Sequence, residues 1–239
     1  MKTKIHIGTS GWSYPHWKFC FYADVAKKNW LPHYATLFNT VEVNASFYRL
    51  QSPETLQKWC EQTPDDFRFS LKANRYLTHT KRLLNPLDSV LIEQQHARYL
   101  QPKLTCVLWQ LPKNQTKDIH KLQNFSVALA HWDDVHHVIE FRHSSWFDDE
   151  TEKLLASRNI AVCASDAADW PMWLITTSDF LYIRLHGHTR TYASHYTKPQ
   201  LQQWARRAKH CENVWIYFDN DAECAAIDNA IELQKLTSK

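Results

Sequence analysis

Eight short runs rich in β-branched and aromatic residues recur along the chain: Lys4–Gly8, Thr40–Asn44, Phe67–Lys72, Thr105–Gln110, His137–Phe141, Ile160–Ala164, Phe180–Leu185 and Val214–Phe218. Runs of this length and composition read as strands. Between them lie stretches with helical periodicity: Pro53–Glu61, Asp88–Leu100, Thr116–Ala130, Asp148–Ser157, Lys198–Lys209 and Asp221–Leu236. Ser52 followed by Pro53 is an N-cap with proline in the first turn, where its missing N–H costs nothing. The last stretch carries Ala222, Ala225, Ala226, Ile227, Ala230, Ile231 and Leu233, a helical apolar stripe.

Strands that alternate with helices pair in parallel, because each return to the same sheet edge needs a crossover. An open doubly wound sheet would satisfy that pattern. Eight units in 239 residues fit a closed barrel better, since such barrels run to about 250 residues. No linker rich in Gly, Ser or Pro divides the chain. The expectation is therefore an α/β fold, a single (β/α)8 TIM barrel over residues 1–239. Residues 10–30 are too many for a simple turn and are rich in Trp, Tyr and His, so this first long loop is expected to be a lid or a packed loop.

Composition narrows the function classes. Eleven tryptophans argue against a solvated, disordered chain, and three glycines leave nothing from which to build a glycine-rich phosphate loop. Net charge is +3 and the pI is near 8.5, a mild bias; nucleic-acid binders more often show a clustered basic face and a pI above about 9. No apolar run approaches the ~18 residues of a membrane helix, so no membrane partner is expected. Met1 to Gly8 lacks the apolar stretch of a signal peptide. Six cysteines occur, none in a C-x-x-C pair. Reduced thiols and a cytoplasmic location are the corresponding expectations.

In a parallel barrel the chemistry sits at the carboxyl ends of the strands. Every predicted strand here ends in polar residues, several spaced by two: Glu42/Asn44, Lys72/Asn74, Glu140/Arg142 and Arg184/His186. That spacing puts both members on one strand face, and a shared inward face would bring them to one pocket. Lys72, Arg142 and Arg184 have the charge to clamp a phosphate or carboxylate. Glu42, Glu140 and His186 are the candidates for proton transfer. Ser10, Trp12, Asn44 and Asn220 are candidate ligand-binding residues. Asp166 and Asp219 add carboxylates that leave room for a divalent metal, although the histidines are too few to name a metal site, and no cofactor is identified. Gly8, Gly11 and Gly187 all fall on this face and suggest close approach of backbone to a ligand, against the plainer alternative of turn geometry. A structural ion-pair network of Glu140, Arg142 and Arg184 is the competing account of the charges.

At these same residues the sequence resembles the YecE-like family, a domain of unknown function. The matching pieces are Ile7–Tyr14 with Trp17, Phe38–Asn44 with Phe47 and Tyr48, Phe67–Phe69 leading to Lys72, Thr78–His79, Glu140–Arg142 with Ser145 and Trp146, Arg184–Gly187, and Tyr217–Phe218 with Asn220 and Asp221. They run in order over nearly the whole chain. The resemblance implies a TIM-barrel fold and brings no established reaction. Asp219, Ser144 and Lys18 depart from the residues usual in that family, which bears on pocket shape.

These observations together lead to the expectation of an enzyme-like barrel that binds a small anionic ligand at its C-terminal face and acts as a hydrolase or lyase. The alternatives are a metal-dependent phosphodiesterase acting on nucleic acid, and a non-catalytic module that binds nucleic acid or protein through its aromatic mouth.

Overall fold

The structure is a computed structural model that describes residues 3–238. Its eight strands are β1 (Lys4–Thr9), β2 (Thr40–Val43), β3 (Arg68–Lys72), β4 (Leu104–Gln110), β5 (His136–Glu140), β6 (Ala161–Asp166), β7 (Phe180–Leu185) and β8 (Asn213–Phe218). All pair in parallel, in the order β1-β8-β7-β6-β5-β4-β3-β2. The helices are α1 (Trp30–Tyr34), α2 (Ala45–Tyr48), α3 (Pro53–Glu61), α4 (Pro86–Ala97), α5 (Ile119–Leu129), α6 (Asp149–Ala156), α7 (Lys198–Ala208) and α8 (Ala225–Thr237). This is the TIM barrel that the strand count predicts, with one crossover, β6 to β7, lacking a helix.

Helix starts follow their capping chemistry. Ser52 Oγ accepts from Thr55 N, Asp118 Oδ1 from Lys121 N and Asp148 Oδ1 from Thr151 N, each satisfying an orphan amide of the first turn. Asp118 is why α5 starts later than its apolar period suggests. The apolar stripe of the last helix was expected to begin at Asp221, but Glu223 and Cys224 take left-handed φ values of 53° and 64°, so the regular helix begins at Ala225. The short helices α1 and α2 and the turn Tyr76–Thr80 carry too few residues to show a period.

Alternation divides the strand side chains between two cores. Outward residues such as Val41, Phe69, Leu71, Val107, Ile139, Ile183 and Ile216 pack under the helices. Inward residues fill the lumen: Cys106, Leu108, Val138, Ala161, Cys163, Phe180, Tyr182, Trp215 and Tyr217 form a second buried cluster. The barrel is packed rather than hollow, so ligand space exists only at its mouths. The long first loop is packed, not a free lid: Trp17 and Tyr22 are fully buried and the Tyr22 ring stacks on Trp30 at 4.5 Å.

Closure between β1 and β2 is not a regular ladder. One isolated bridge joins Ser10 to Glu42, with Gly11 N donating to Glu42 O. Below it the Tyr34 hydroxyl enters the seam from α1, accepting from Thr9 N at 2.8 Å and donating to Thr40 O at 3.1 Å. A side-chain hydroxyl thus takes the place of a ladder bond. Gly8 lies at the same seam, where a Cβ would collide with the Thr40 carbonyl. Gly8 thus meets a steric need of the fold, the plainer of the two accounts given above. Gly11 and Gly187 have φ of 90° and 108°, and Gly187 turns tightly against the Arg190 carbonyl. Joining β1 to β8 also brings Cys20 and Cys224 together as a pair with Cα atoms 6.6 Å apart, which corrects the expectation that all thiols are free. Cys60, Cys106, Cys163 and Cys211 are unpaired.

Helix α4 is anchored by a buried carboxyl. Glu93 Oε2 accepts from Asn74 N just beyond β3, and burial pushes its pKa up from 4.5 to about 7.

Two tests follow from this geometry. Tyr34→Phe strands the buried Thr9 N–H and Thr40 C=O, so unfolding free energy should fall by about 2 to 4 kcal/mol; denaturant titration with hydrogen exchange at Thr9 checks it. For Glu93 the folded pKa lies above the unfolded one, so the folded state holds the proton longer. Its burden on stability is absent below pH 4.5, grows as pH rises to about 7 and then stays constant. Glu93→Gln should therefore stabilise the protein by up to about 3 kcal/mol at pH 8, with the gain fading toward pH 4, read as a pH series of unfolding curves.

Candidate functional site

The inward faces of the strand ends meet at the C-terminal mouth. Strand β7 carries Tyr182 and Arg184 on its inward face, with His186 just beyond. Arg184 is fully buried at the centre. Its Nη2 lies 2.7 Å from Glu42 Oε1 and 3.1 Å from Asp219 Oδ2, and its Nη1 lies 2.9 Å from Glu140 Oε2. It also donates to Ser10 Oγ at 2.9 Å. One guanidinium thus joins β1, β2, β5, β7 and the residue after β8. Its five donors in a planar fork allow this; a lysine could not reach all these acceptors.

Each carboxylate is further satisfied. Glu42 accepts from Ser10 Oγ and from Tyr182 Oη, the latter at 2.7 Å. Tyr182 in turn bonds Ser70 across the lumen at 2.6 Å. Glu140 Oε1 accepts from Ser165 Oγ and Arg142 Nε, both at 2.8 Å. Burial alone would raise the Glu140 carboxyl; the guanidiniums of Arg142 and Arg184, with His186, outweigh it and hold the pKa well below the usual range. Asp219 is lowered in the same way, burial being overcome by Arg184 and His186. His186 bridges the two acids, with Nδ1 2.8 Å from Asp219 and Nε2 3.2 Å from Glu140. Its ring meets Trp170 edge-on at 4.5 Å.

The structure therefore brings Ser10, Glu42, Asn44, Glu140, Arg142, Arg184 and His186 into one connected cluster. Asn44 joins through Nδ2, which donates to Ser10 Oγ at 2.7 Å. Glu42, Arg184 and His186 are spent on one another: all three are fully buried. Arg184 holds the position at which the surrounding carboxylates would otherwise gather a cation, and among the described residues no group of His, Cys, Asp or Glu is set to hold a metal ion. Asn220 does not join the cluster. It faces α8 instead, donating to Ser194 O and Asn229 Oδ1. Asp166 also points away, to His188 Nδ1 at 3.1 Å.

Lys72 is different. Its ammonium is buried on the lumen face with no carboxylate within ion-pair distance among the described residues, and it sits over the Phe47 ring at 4.3 Å. Burial, followed by the nearby Arg184 charge, lowers its pKa to about 8, against the weaker opposing pull of Glu140, Glu42 and Asp219. Beside it, His79 is lowered to about 4 by burial and by the charges of Arg75, Lys72, Arg142 and Arg82. This quadrant of the mouth is thus electropositive, whereas the quadrant around Arg184 is internally neutralised. Arg142 closes one side, its guanidinium 3.3 Å from the centre of the Trp170 ring.

Trp170 and Tyr182 escaped the sequence reading, and His79 entered it only through the family resemblance. Trp170 lies in the one crossover without a helix, where no periodicity marks it. Tyr182 shares the inward parity of Arg184 and was legible in principle. Next to the mouth, Trp12 and Asn44 line a cavity of about 550 Å³ with Lys27, Lys28, Lys58 and Trp59. A cavity of about 520 Å³ opens at the opposite end around His136 and His137, the face of a barrel that ordinarily serves stability.

The family model described as "Protein of unknown function DUF72" matches residues 6–239. The chain is similar to YunF of Bacillus subtilis, 25% identical over 97% of this chain and 94% of that protein. It is similar to YecE of Escherichia coli K12, 30% identical over 65% of this chain and 55% of that protein. A solved DUF72 family protein of Thermotoga maritima has the same fold, with a TM-score of 0.87 at 24% identity over 98% of this chain and 99% of the other. A xylose isomerase domain containing protein of Salmonella typhimurium shares the barrel at a TM-score of 0.59 and 10% identity, covering 100% of this chain and 96% of the other. With the family model spanning almost every residue and the barrel closed as in its solved relatives, the chain belongs to the DUF72 family, whose function is unknown.

Proposed function

We propose that the C-terminal mouth binds a small anionic ligand, bearing phosphate or carboxylate, in the electropositive quadrant formed by Lys72, Arg142 and His79. The observation that carries this reading is the buried Lys72 ammonium, which has no carboxylate within ion-pair distance and feels Glu140, Glu42 and Asp219 only at longer range. Burying an unpaired charge is costly, and a ligand anion would supply the missing partner. Arg184, counted from sequence as part of the clamp, acts instead as a brace that fixes the carboxylates; Arg142 is shared between Glu140 and the mouth.

The chemistry that fits is of hydrolase or lyase type. An amine whose pKa lies near 8 is partly neutral at physiological pH and can accept a proton or attack a carbonyl. Glu140 and Asp219, held ionised, are poor proton acceptors at that pH and serve to orient His186. Glu42, Glu140 and His186, the other candidates for proton transfer, are fully buried and bonded within the cluster, so Lys72 is the group to test.

Titration calorimetry with inorganic phosphate and with a small dicarboxylate tests the reading. The native protein should bind at pH 7, more weakly as pH rises through about 8, where Lys72 loses its charge. Lys72→Met should abolish binding and keep the fold. The His79 pKa should rise when the anion is present, visible by NMR, because a negative charge offsets the four cations around it. Equal binding by the native and Lys72→Met proteins would overturn the proposal. By contrast, Arg184→Met should leave the buried Glu42 carboxylate without a cationic partner and weaken the pairing of Glu140 and Asp219, destabilising the barrel by about 3 to 5 kcal/mol or preventing folding, read by chemical denaturation.

A further inference from the structure

The cavity beside the mouth is lined by aromatic residues and edged by exposed lysines. It measures about 550 Å³ and shares a wall with the central cluster through Gly11 and Asn44. Three of its lining residues are lysines, Lys27, Lys28 and Lys58, and none is an Asp or Glu. Among the described residues no carboxylate pairs with any of the three. Lys27 and Lys28 are neighbours in the turn before α1, and the fold brings Lys58 of helix α3 up to them.

The same cavity is lined by two indoles. Trp12 and Trp59 meet edge to face, ring centres 5.0 Å apart and planes at 89°. A planar ring stacked on one indole would meet the edge or face of the other, so the pair forms a corner for a flat aromatic group. Neither tryptophan is fully buried, although both pack against the core. Cationic side chains around an aromatic corner match a ligand that joins a phosphate to a planar ring. The volume suits a ligand of that size, since sites for small molecules commonly measure about 300 to 1,000 Å³.

We propose that this cavity is a nucleotide subsite, with the base held at Trp12 and Trp59 and the phosphate held by Lys27, Lys28 and Lys58. The inference rests on the anion-binding reading of the adjoining mouth and adds the class of ligand: a nucleotide unit that extends from the mouth across the end of β2. Asn44 stands between the two regions, its Nδ2 on Ser10 and its Oδ1 without a partner in the protein.

The test is titration calorimetry with adenosine 5′-monophosphate, inorganic phosphate and adenosine as probes. It compares the native protein, the triple variant Lys27→Ala, Lys28→Ala, Lys58→Ala, the variant Trp59→Leu, and Lys72→Met, each first shown to fold by circular dichroism. The nucleotide should bind the native protein roughly tenfold or more tightly than phosphate does, and more weakly as salt is added. The triple variant should lose roughly tenfold or more in nucleotide affinity. Trp59→Leu should erase the preference for nucleotide over phosphate. Nucleotide binding no tighter than phosphate, or unchanged in the triple variant, overturns the subsite. If that happens while phosphate binding still depends on Lys72, the mouth reading survives alone. If nucleotide binding depends on the three lysines and phosphate binding ignores Lys72, the subsite stands and the mouth reading falls.

Discussion

A guanidinium buried on the barrel axis needs its charge returned several times over, and Arg184 obtains this from Glu42, Glu140 and Asp219. Removing such a group from water is expensive, and only a full set of partners at hydrogen-bond distance offsets it. Those partners come from β2, β5 and the end of β8. The mouth therefore has one arrangement in which the buried charges of Arg184, Glu42, Glu140 and Asp219 are all matched. Ser10, Ser165, Tyr182 and His186 take the remaining lone pairs and protons. Because a half-satisfied buried network is worse than an apolar core, this cluster specifies the mouth as much as it stabilises it.

That constraint separates two kinds of charge that look alike in composition. Arg184 has its charge matched within the fold. Lys72, two residues along the same face from Ser70, has no such match and rests on an aromatic ring. The fold thus leaves one cation of the lumen available while committing the other, and the ligand reading follows from this asymmetry rather than from the number of charged residues. The lysines of the neighbouring cavity extend the same sign of potential outward. The acidic side of the mouth is neutralised from within, so an anion approaching from solvent meets a cationic edge.

Architecture and site were legible to different depths. All eight strands and six of the helices could be read, because alternation, apolar stripes and caps such as Ser52 and Asp148 are local signals. The i, i+2 pairs at strand ends put Glu140 with Arg142 and Arg184 with His186 on one strand face, and in the structure these four side chains meet at the mouth, whereas Asn74, paired with Lys72, donates to Ser46 O. Asn220 went astray because the polarity of a strand end does not say on which side the residue falls; following the inward Asp219, it points to α8. Trp170 carried no signal, and His79 stood out only through the resemblance, because both lie in irregular segments, where position depends on packing and not on period. The Cys20–Cys224 pair spans 204 residues and exists only because closing the barrel sets β1 beside β8.

The sequence by itself determined that β and α units alternate, that the strands are parallel and numerous enough to close, and which side chains share a strand face. These follow from periods of two and 3.6 residues, which the chain carries regardless of its surroundings. Only the tertiary structure decided which charges neutralise one another, that Tyr34 rather than a ladder bond seals the seam between β1 and β2, and that Lys72 has no carboxylate within ion-pair distance. Pairing of that kind depends on distances of a few ångströms between residues as far apart as Glu42 and Arg184, and such distances are set by the stagger and tilt of the closed sheet, which no local pattern encodes.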